Sequence, residues 1–311
     1  MDDTDFSRLK GEHRLYAVPE TEAEQKEIFM TLQENREKIK GDRRAYYDPE
    51  ADRQAIQVYY EDIDFGDMNG MDLAEALHLL VKQTHTNPVG YSPSRFVYPW
   101  VDLQENGSLV SVYSGRRRKP EEVLAEDYIT AEKRKQRLEK QVIALDAEDT
   151  EGVRAGIENE FKFNCEHAVP QSWFGRDEPM KGDIHHLFTC DPVCNSARSN
   201  YPYYDFKEYE PETDLMAVRD GCGKAEDERF EPEFSKGTVA RAMLYFLLRY
   251  PDKVKKSFKK RIDIRLLNEW HREYPPDVYE KHRNAAIADI QGNRNPFIDY
   301  PEYLLDVKWL R

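Results

Sequence analysis

Phe161-Lys162-Phe163-Asn164-Cys165-Glu166-His167 opens a dense stretch that continues through Gly182-Asp183-Ile184-His185-His186-Leu187-Phe188 to Asp191-Pro192 and Asn195-Ser196-Ala197-Arg198. From Phe161 to Tyr204 the chain is rich in His, Cys, Asn, Asp and aromatics, unlike its flanks. Phe161-Lys162-Phe163 reads as strand-like, and Gly182 to Phe188 as a second short strand. Asp191-Pro192 looks like a helix start, with Asp at the N-cap and Pro in the first turn. Neighbouring residues on an extended chain point to opposite faces, so Glu166 and His167 can serve two different tasks. The Glu166 carboxylate suits a hard cation such as Mg²⁺. The His167 imidazole, with an ordinary pKa near 6.5, suits removal of a proton from water. Asn195 and Arg198 lie three apart and share a helical face. The Asn195 amide oxygen is a second candidate metal ligand, and the Arg198 guanidinium a candidate phosphate contact. Asp183, His185 and His186 are either site residues or packed support. As zinc ligands they are geometrically poor, because adjacent residues on a strand diverge.

Working outward, helical spacing marks Glu22 to Lys40, Asp72 to Lys82, Lys236 to Tyr250, Ile264 to Trp270 and Asp277 to Ile290. Lys236 to Tyr250 is expected to be amphipathic, with Val239, Ala242, Met243, Phe246 and Leu247 inward. Arg95 to Tyr113 is expected to form a β-hairpin around Asn106-Gly107. Ala125 to Glu151 reads as a solvated helical linker, and Gln291 to Pro296 as a turn-forming loop. The expectation is an α+β fold: a helix-rich mixed domain with a small antiparallel sheet and an embedded strand-strand-helix site. Residues 1–60 form a charged helical N-terminal arm and residues 61–311 the catalytic domain, whose core lies at about 161–204.

The bulk numbers narrow the function. A chain of 311 residues can bury a sizeable core, and 12% aromatics supply the area for it. No run of 18 apolar residues exists, so a helical membrane span is not expected. Met1-Asp2-Asp3-Thr4-Asp5 is acidic and lacks an apolar segment, which points to a cytoplasmic protein, export with a removed leader being the alternative. The net charge of −14 opposes a polyanionic partner. Two local runs act the other way: Gly115-Arg116-Arg117-Arg118-Lys119, and Lys253 to Arg261. They are either solvated faces or phosphate contacts, and a bound divalent cation would also offset local acidity.

All four cysteines, Cys165, Cys190, Cys194 and Cys222, fall in one window. Three arrangements remain open: a structural Cys₄ zinc site, two disulfides, or four buried thiols.

Asn164-Cys165-Glu166-His167-Ala168-Val169-Pro170-Gln171-Ser172-Trp173, then Asp183-Ile184-His185-His186-Leu187, then Asn195-Ser196-Ala197-Arg198-Ser199-Asn200, resemble the bacterial endonuclease I family. So does the run from His282-Arg283-Asn284 to Gln291-Gly292-Asn293-Arg294-Asn295-Pro296. The resemblance covers about residues 70 to 300. It implies a ββα-metal, or His-Me finger, nuclease in which His167 is the general base and Glu166 and Asn195 bind one Mg²⁺ or another divalent cation. It implies hydrolysis of DNA, and in some members RNA, to 5′-phosphate products with little sequence specificity. The alternative is a non-catalytic nucleic-acid-binding or interaction module on a retired nuclease fold. Loss of Glu166, His167 or Asn195 would favour that module, and all three are present. A nuclease free in the cytoplasm would endanger its host, so restraint by an inhibitor partner or by export is expected.

Overall fold

In the computed structural model, residues 21–68, 70–144, 152, 156–158, 160–209 and 221–304 are described. The first twenty residues of the N-terminal arm and the end of the Ala125 to Glu151 stretch lie outside them. Among the described residues the fold is helix-rich with three small two-stranded antiparallel sheets, in keeping with the α+β expectation. In chain order the main elements are α1 (Glu22–Gly41), α2 (Pro49–Tyr59), α3 (Gly70–Thr84), β1 (Leu109–Val110), β2 (Arg117–Arg118), α4 (Pro120–Ala144), β3 (Cys165–His167), β4 (Leu187–Thr189), α5 (Pro192–Arg198), β5 (Gly223–Glu226), β6 (Arg229–Pro232), α6 (Lys236–Arg249), α7 (Ile264–Glu273) and α8 (Val278–Gln291).

Strands β3 and β4 pair with Cys165 opposite Thr189, Glu166 opposite Phe188 and His167 opposite Leu187. This ribbon is wedged between two hydrophobic clusters. Cys165 and Leu187 pack with Ile28, Leu32, Val97, Val101 and Ile287. Ala168, Phe188 and Cys190 pack with Leu77, Val239, Met243 and Phe246. The two-residue period of a strand distributes its side chains to the two sides, which is why the ribbon has no solvent face. Helix α6 is the centre of the second cluster. Ala240, Leu244, Tyr245 and Leu248 are buried along with the inward-facing residues expected from the spacing. It is a core helix apolar almost all round rather than a one-sided amphipathic one.

Helix α1 starts with a capping box between Thr21 and Glu24 and buries Ile28, Leu32 and Ile39. Helix α2 joins the C-terminal end through a buried pair, Asp52 with Arg294 at 2.7 Å.

Three local expectations are corrected. Of the strand expected from Gly182 to Phe188, Ile184–His186 is a 3-10 helix capped by the Asp183 side chain, and β4 begins only at Leu187. The hairpin is shifted: Pro93–Phe96 is a helical turn continued by the π-helical Val97–Val101, and β1 pairs with β2 instead. Asn106-Gly107 does make a turn, closed by Gly107 N–H to Gln104 O at 2.8 Å. Pro93 favours a helix start, and Pro99 lacks the N–H a ladder needs there. Helix α4 is not a solvated linker in its first half. Asp127 is fully buried, accepts from Tyr98 Oη at 2.6 Å and from the Asn164 N–H at 2.8 Å, and so anchors the entry to β3.

Candidate active site

The residues singled out in the sequence converge. Glu166 and His167 lie on β3, Asn195 and Arg198 on α5, and all four line one cleft of about 290 Å³. The start of α5 is fixed by Pro192 and by Asp191, though the Asp191 side chain does not cap the helix. Its two oxygens accept from Arg118 at 2.6 Å and Ser114 at 3.2 Å, tying α5 to the β1–β2 hairpin.

His167 is buried and its orientation is set from both sides of the ring. Nε2 lies 2.9 Å from the Lys181 carbonyl oxygen and Nδ1 lies 3.3 Å from Gln171 Nε2. A carbonyl can only accept, so Nε2 carries the proton and Nδ1 holds the lone pair. Burial, aided by neighbouring His186, pushes the His167 pKa well below its ordinary value, so the ring is neutral. Tyr91 lies against the ring at 4.9 Å between centroids. The Lys181 carbonyl is held in place by a close chain crossing, since a Cβ on Gly182 would lie 2.0 Å from Val89 O. Only glycine permits that approach.

Glu166 is 4% exposed. Its Oε1 accepts from Tyr113 Oη at 2.8 Å and pairs with Arg198 Nη1 at 3.5 Å. Burial raises its pKa, opposed by Arg198, Tyr113 and Lys162. Asn195 Nδ2 donates to Cys165 O at 3.0 Å, which turns Oδ1 toward Lys162 Nζ at 3.3 Å. Arg198 is fully buried in the wall. Nη2 donates to Ala168 O at 2.7 Å and Nη1 lies 3.4 Å from Ser199 O, while Nε has no partner. Instead of an open phosphate fork, the structure shows a guanidinium that braces β3 against α5 and faces Glu166.

The cleft's charge is opposite to that of the chain. Its lining carries five cationic side chains, Arg134, Lys162, Arg176, Lys181 and Arg198, against two carboxylates, Glu158 and Glu166. A net charge of −14 therefore does not describe the site. Lys162, Lys181, Arg176, Gln171 and Tyr113 were not among the site residues expected from the sequence. Lys162 and Gln171 sit within five residues of the Glu-His pair, a proximity that flags them; the others are brought in by tertiary packing.

Asp183, His185 and His186 are not lining residues of the cleft. Asp183 accepts from Tyr245 and Tyr250 at 2.8 and 2.9 Å. His185 Nε2 bonds Asn293 O at 3.1 Å and His186 Nε2 bonds Met180 O at 2.7 Å. Burial lowers the His185 pKa to about 4. The two rings serve different carbonyls and support the β4 entry.

The Cys₄ zinc arrangement is corrected. Cys194 and Cys222 form a disulfide, whereas Cys165 and Cys190 are free buried thiols. Cys165 faces one hydrophobic cluster and Cys190 and Cys194 the other, so the four sulfurs do not converge. Among the described residues no cluster of three His, Cys, Asp or Glu could hold a metal. A site with one carboxylate and one amide oxygen does not require such a cluster.

Among known proteins, an extracellular ribonuclease of Bacillus amyloliquefaciens is 32% identical over 170 residues, covering 45% of this chain and 52% of that protein. A periplasmic deoxyribonuclease of Aeromonas hydrophila is 33% identical over 126 residues, covering 39% and 48%. An endonuclease-1 of Buchnera aphidicola is 29% identical over 125 residues, covering 39% and 47%. The chain spans about half the length of the curated relatives it matches. The extracellular setting of the first of these and the periplasmic setting of the second overturn the expectation of a cytoplasmic protein and point to export. The endonuclease I family profile matches residues 72–302, three quarters of the chain and all of the site, and the protein is therefore a member of the endonuclease I family.

Proposed function

We propose that this protein is a divalent-metal-dependent, largely sequence-nonspecific endonuclease of the ββα-metal type, acting outside the cytoplasm on DNA, with RNA a further substrate. The observation that carries the reading is the fixed His167 tautomer, with Nδ1 unprotonated in a cleft where cations outnumber carboxylates. The Cys194–Cys222 disulfide fits an oxidising compartment.

Glu166 and Asn195 are the residues that would hold Mg²⁺. Both offer hard oxygen donors, and an ammonium already rests on Asn195 Oδ1, so the position favours positive charge. A bound divalent ion would supply charge stabilisation to the scissile phosphate and the leaving 3′-oxygen. The chain's own groups do the rest. His167 Nδ1 takes the proton of the attacking water, and the Lys181 carbonyl steadies the positive ring that results through Nε2–H. Lys181 and Arg176, both partly exposed in the cleft lining, meet the phosphate oxygens of the bound strand. Arg198 opposes the rise that burial imposes on the Glu166 pKa and keeps the strand–helix junction closed. Attack on phosphorus with expulsion of the 3′-oxygen leaves 5′-phosphate ends.

The test is incubation of supercoiled plasmid and of folded RNA with the full chain, in Mg²⁺ and in EDTA. Metal-dependent cleavage leaving ends that a ligase joins without prior phosphorylation is the expected result. A folded, metal-loaded protein that cleaves neither polymer overturns the reading and leaves a binding module.

A further inference from the structure

One cation in the cleft has an unusual position. Lys162 Nζ lies 3.3 Å from Asn195 Oδ1 and 3.2 Å from the Asn195 carbonyl oxygen. Its charge also acts on Glu166, favouring the carboxylate. The ammonium therefore engages the amide oxygen read above as one metal ligand and is electrostatically linked to the other. Two other partners of Glu166, the Tyr113 hydroxyl and the Arg198 guanidinium, both engage Oε1, and the His167 backbone N–H also bonds the carboxylate. A buried carboxylate beside the cleft is stabilised by positive charge near it. Among the described residues Lys162 has no ion pair with another carboxylate.

We propose that Lys162 is a built-in counter-cation that holds the divalent-ion position in the metal-free enzyme and has to withdraw for the ion to bind. The proposal rests on the reading of Glu166 and Asn195 as metal ligands. An ammonium is a compact point charge with three donors on a flexible stem, so it can neutralise this position and leave it without disturbing the backbone. A guanidinium buried like Arg198 could not. Electrostatic repulsion between the ammonium and a divalent ion on the same oxygen forbids both from staying. Lys162 thus keeps the metal-free site intact at the expense of metal affinity, which makes occupancy respond to the cation concentration around the exported protein.

The test is calorimetric titration of Mn²⁺ into the full chain, comparing wild type, Lys162→Met, Lys162→Gln and Lys162→Met combined with Asn195→Ala. Lys162 is partly exposed, and the two single replacements differ in polarity, so folding is checked by circular dichroism in each. Both single variants are expected to bind Mn²⁺ at least about tenfold more tightly than wild type. The gain is expected to vanish when Asn195 is also removed. Without metal the single variants should melt below wild type, and saturating Mn²⁺ should raise their Tm by more. Equal or weaker Mn²⁺ binding in the folded single variants overturns the proposal alone, provided that wild type binds. Failure of wild type and variants alike to bind Mn²⁺ overturns the metal reading and the proposal with it.

Discussion

At the scale of single residues, the motif Asn164 to His167 with Asn195 was legible because its chemistry is local. A carboxylate, an imidazole and an amide keep their donor and acceptor character in any fold. Their surroundings were not legible. The Tyr113 hydroxyl on Glu166 comes from 53 residues away and the Asn293 carbonyl on His185 from 108. His185 shows what this means. In the sequence it stood between a site residue and support. In the structure it is a buried neutral ring against Tyr245, 4.2 Å between centroids. Its pKa is lowered to about 4 by burial, against the pull of Asp183. Between its ordinary value near 6.5 and about 4, the unfolded chain binds a proton that the folded chain refuses. Its contribution to stability is therefore intact above about pH 6.5 and is lost as pH falls toward 4. Urea unfolding of wild type and His185→Gln should show a constant difference above pH 7. On acidification wild type should lose stability relative to the variant. A difference that stays flat would show a ring whose pKa folding does not shift, and one that grows in favour of wild type a ring that is charged in the fold.

At the scale of elements, the long helices were readable from spacing and caps, and the short pieces were not. The π-helical Val97–Val101 replaced an expected strand because Pro99 cannot donate to a ladder and Pro93 favours a helical start. Strand β3 is only three residues long, and what extends it is support from elsewhere. Arg283 on α8 pairs with Asp102 and donates to Leu187 O at 2.8 Å, holding β4. Gln291 Oε1 accepts from the Ile184 N–H at 2.7 Å. The C-terminal run that resembles the family thus works as a clamp on the ribbon. The Cys194–Cys222 disulfide is a second brace, since Cys194 directly precedes Asn195. It spans 28 residues, and a crosslink of that size contributes about 2–4 kcal/mol. Cys194→Ser with Cys222→Ser should lower the melting temperature clearly and weaken metal binding, with dithiothreitol reproducing the effect in wild type. Unchanged melting after confirmed reduction would show that α5 is held by Asp191 and Pro192 alone.

At the scale of the whole molecule, charge is partitioned. The chain is acidic overall, the cleft is basic, and Lys253 to Arg261 forms a second basic region with six cations and no acid. Lys253, Lys255, Lys256, Lys259 and Lys260 make no ion pair among the described residues. The segment is tied to the site wall: Lys255 N–H donates to Trp173 O at 2.8 Å, and Phe258 stacks on Trp173 at 5.4 Å. A nonspecific nuclease needs such sequence-blind grips on phosphate. Replacing Lys255, Lys256, Lys259 and Lys260 by Gln should weaken DNA binding at low salt. It should also make the slope of log affinity against log salt shallower by about 0.9 for each phosphate that the variant leaves unneutralised. An unchanged slope would make the segment a solvated face. The fold class was readable at this scale, whereas this partition of charge emerged only once the chain was folded.

The central claim is that His167 Nδ1 removes the proton from the attacking water. The most direct test is the plasmid-cleavage rate of His167→Ala at saturating Mg²⁺, with Mn²⁺ and DNA binding measured on the same preparation. Both binding events are expected to persist while cleavage falls by about 10²–10⁴. Cleavage within threefold or so of wild type by the folded variant would contradict the claim, for general-base catalysis contributes about 10² or more.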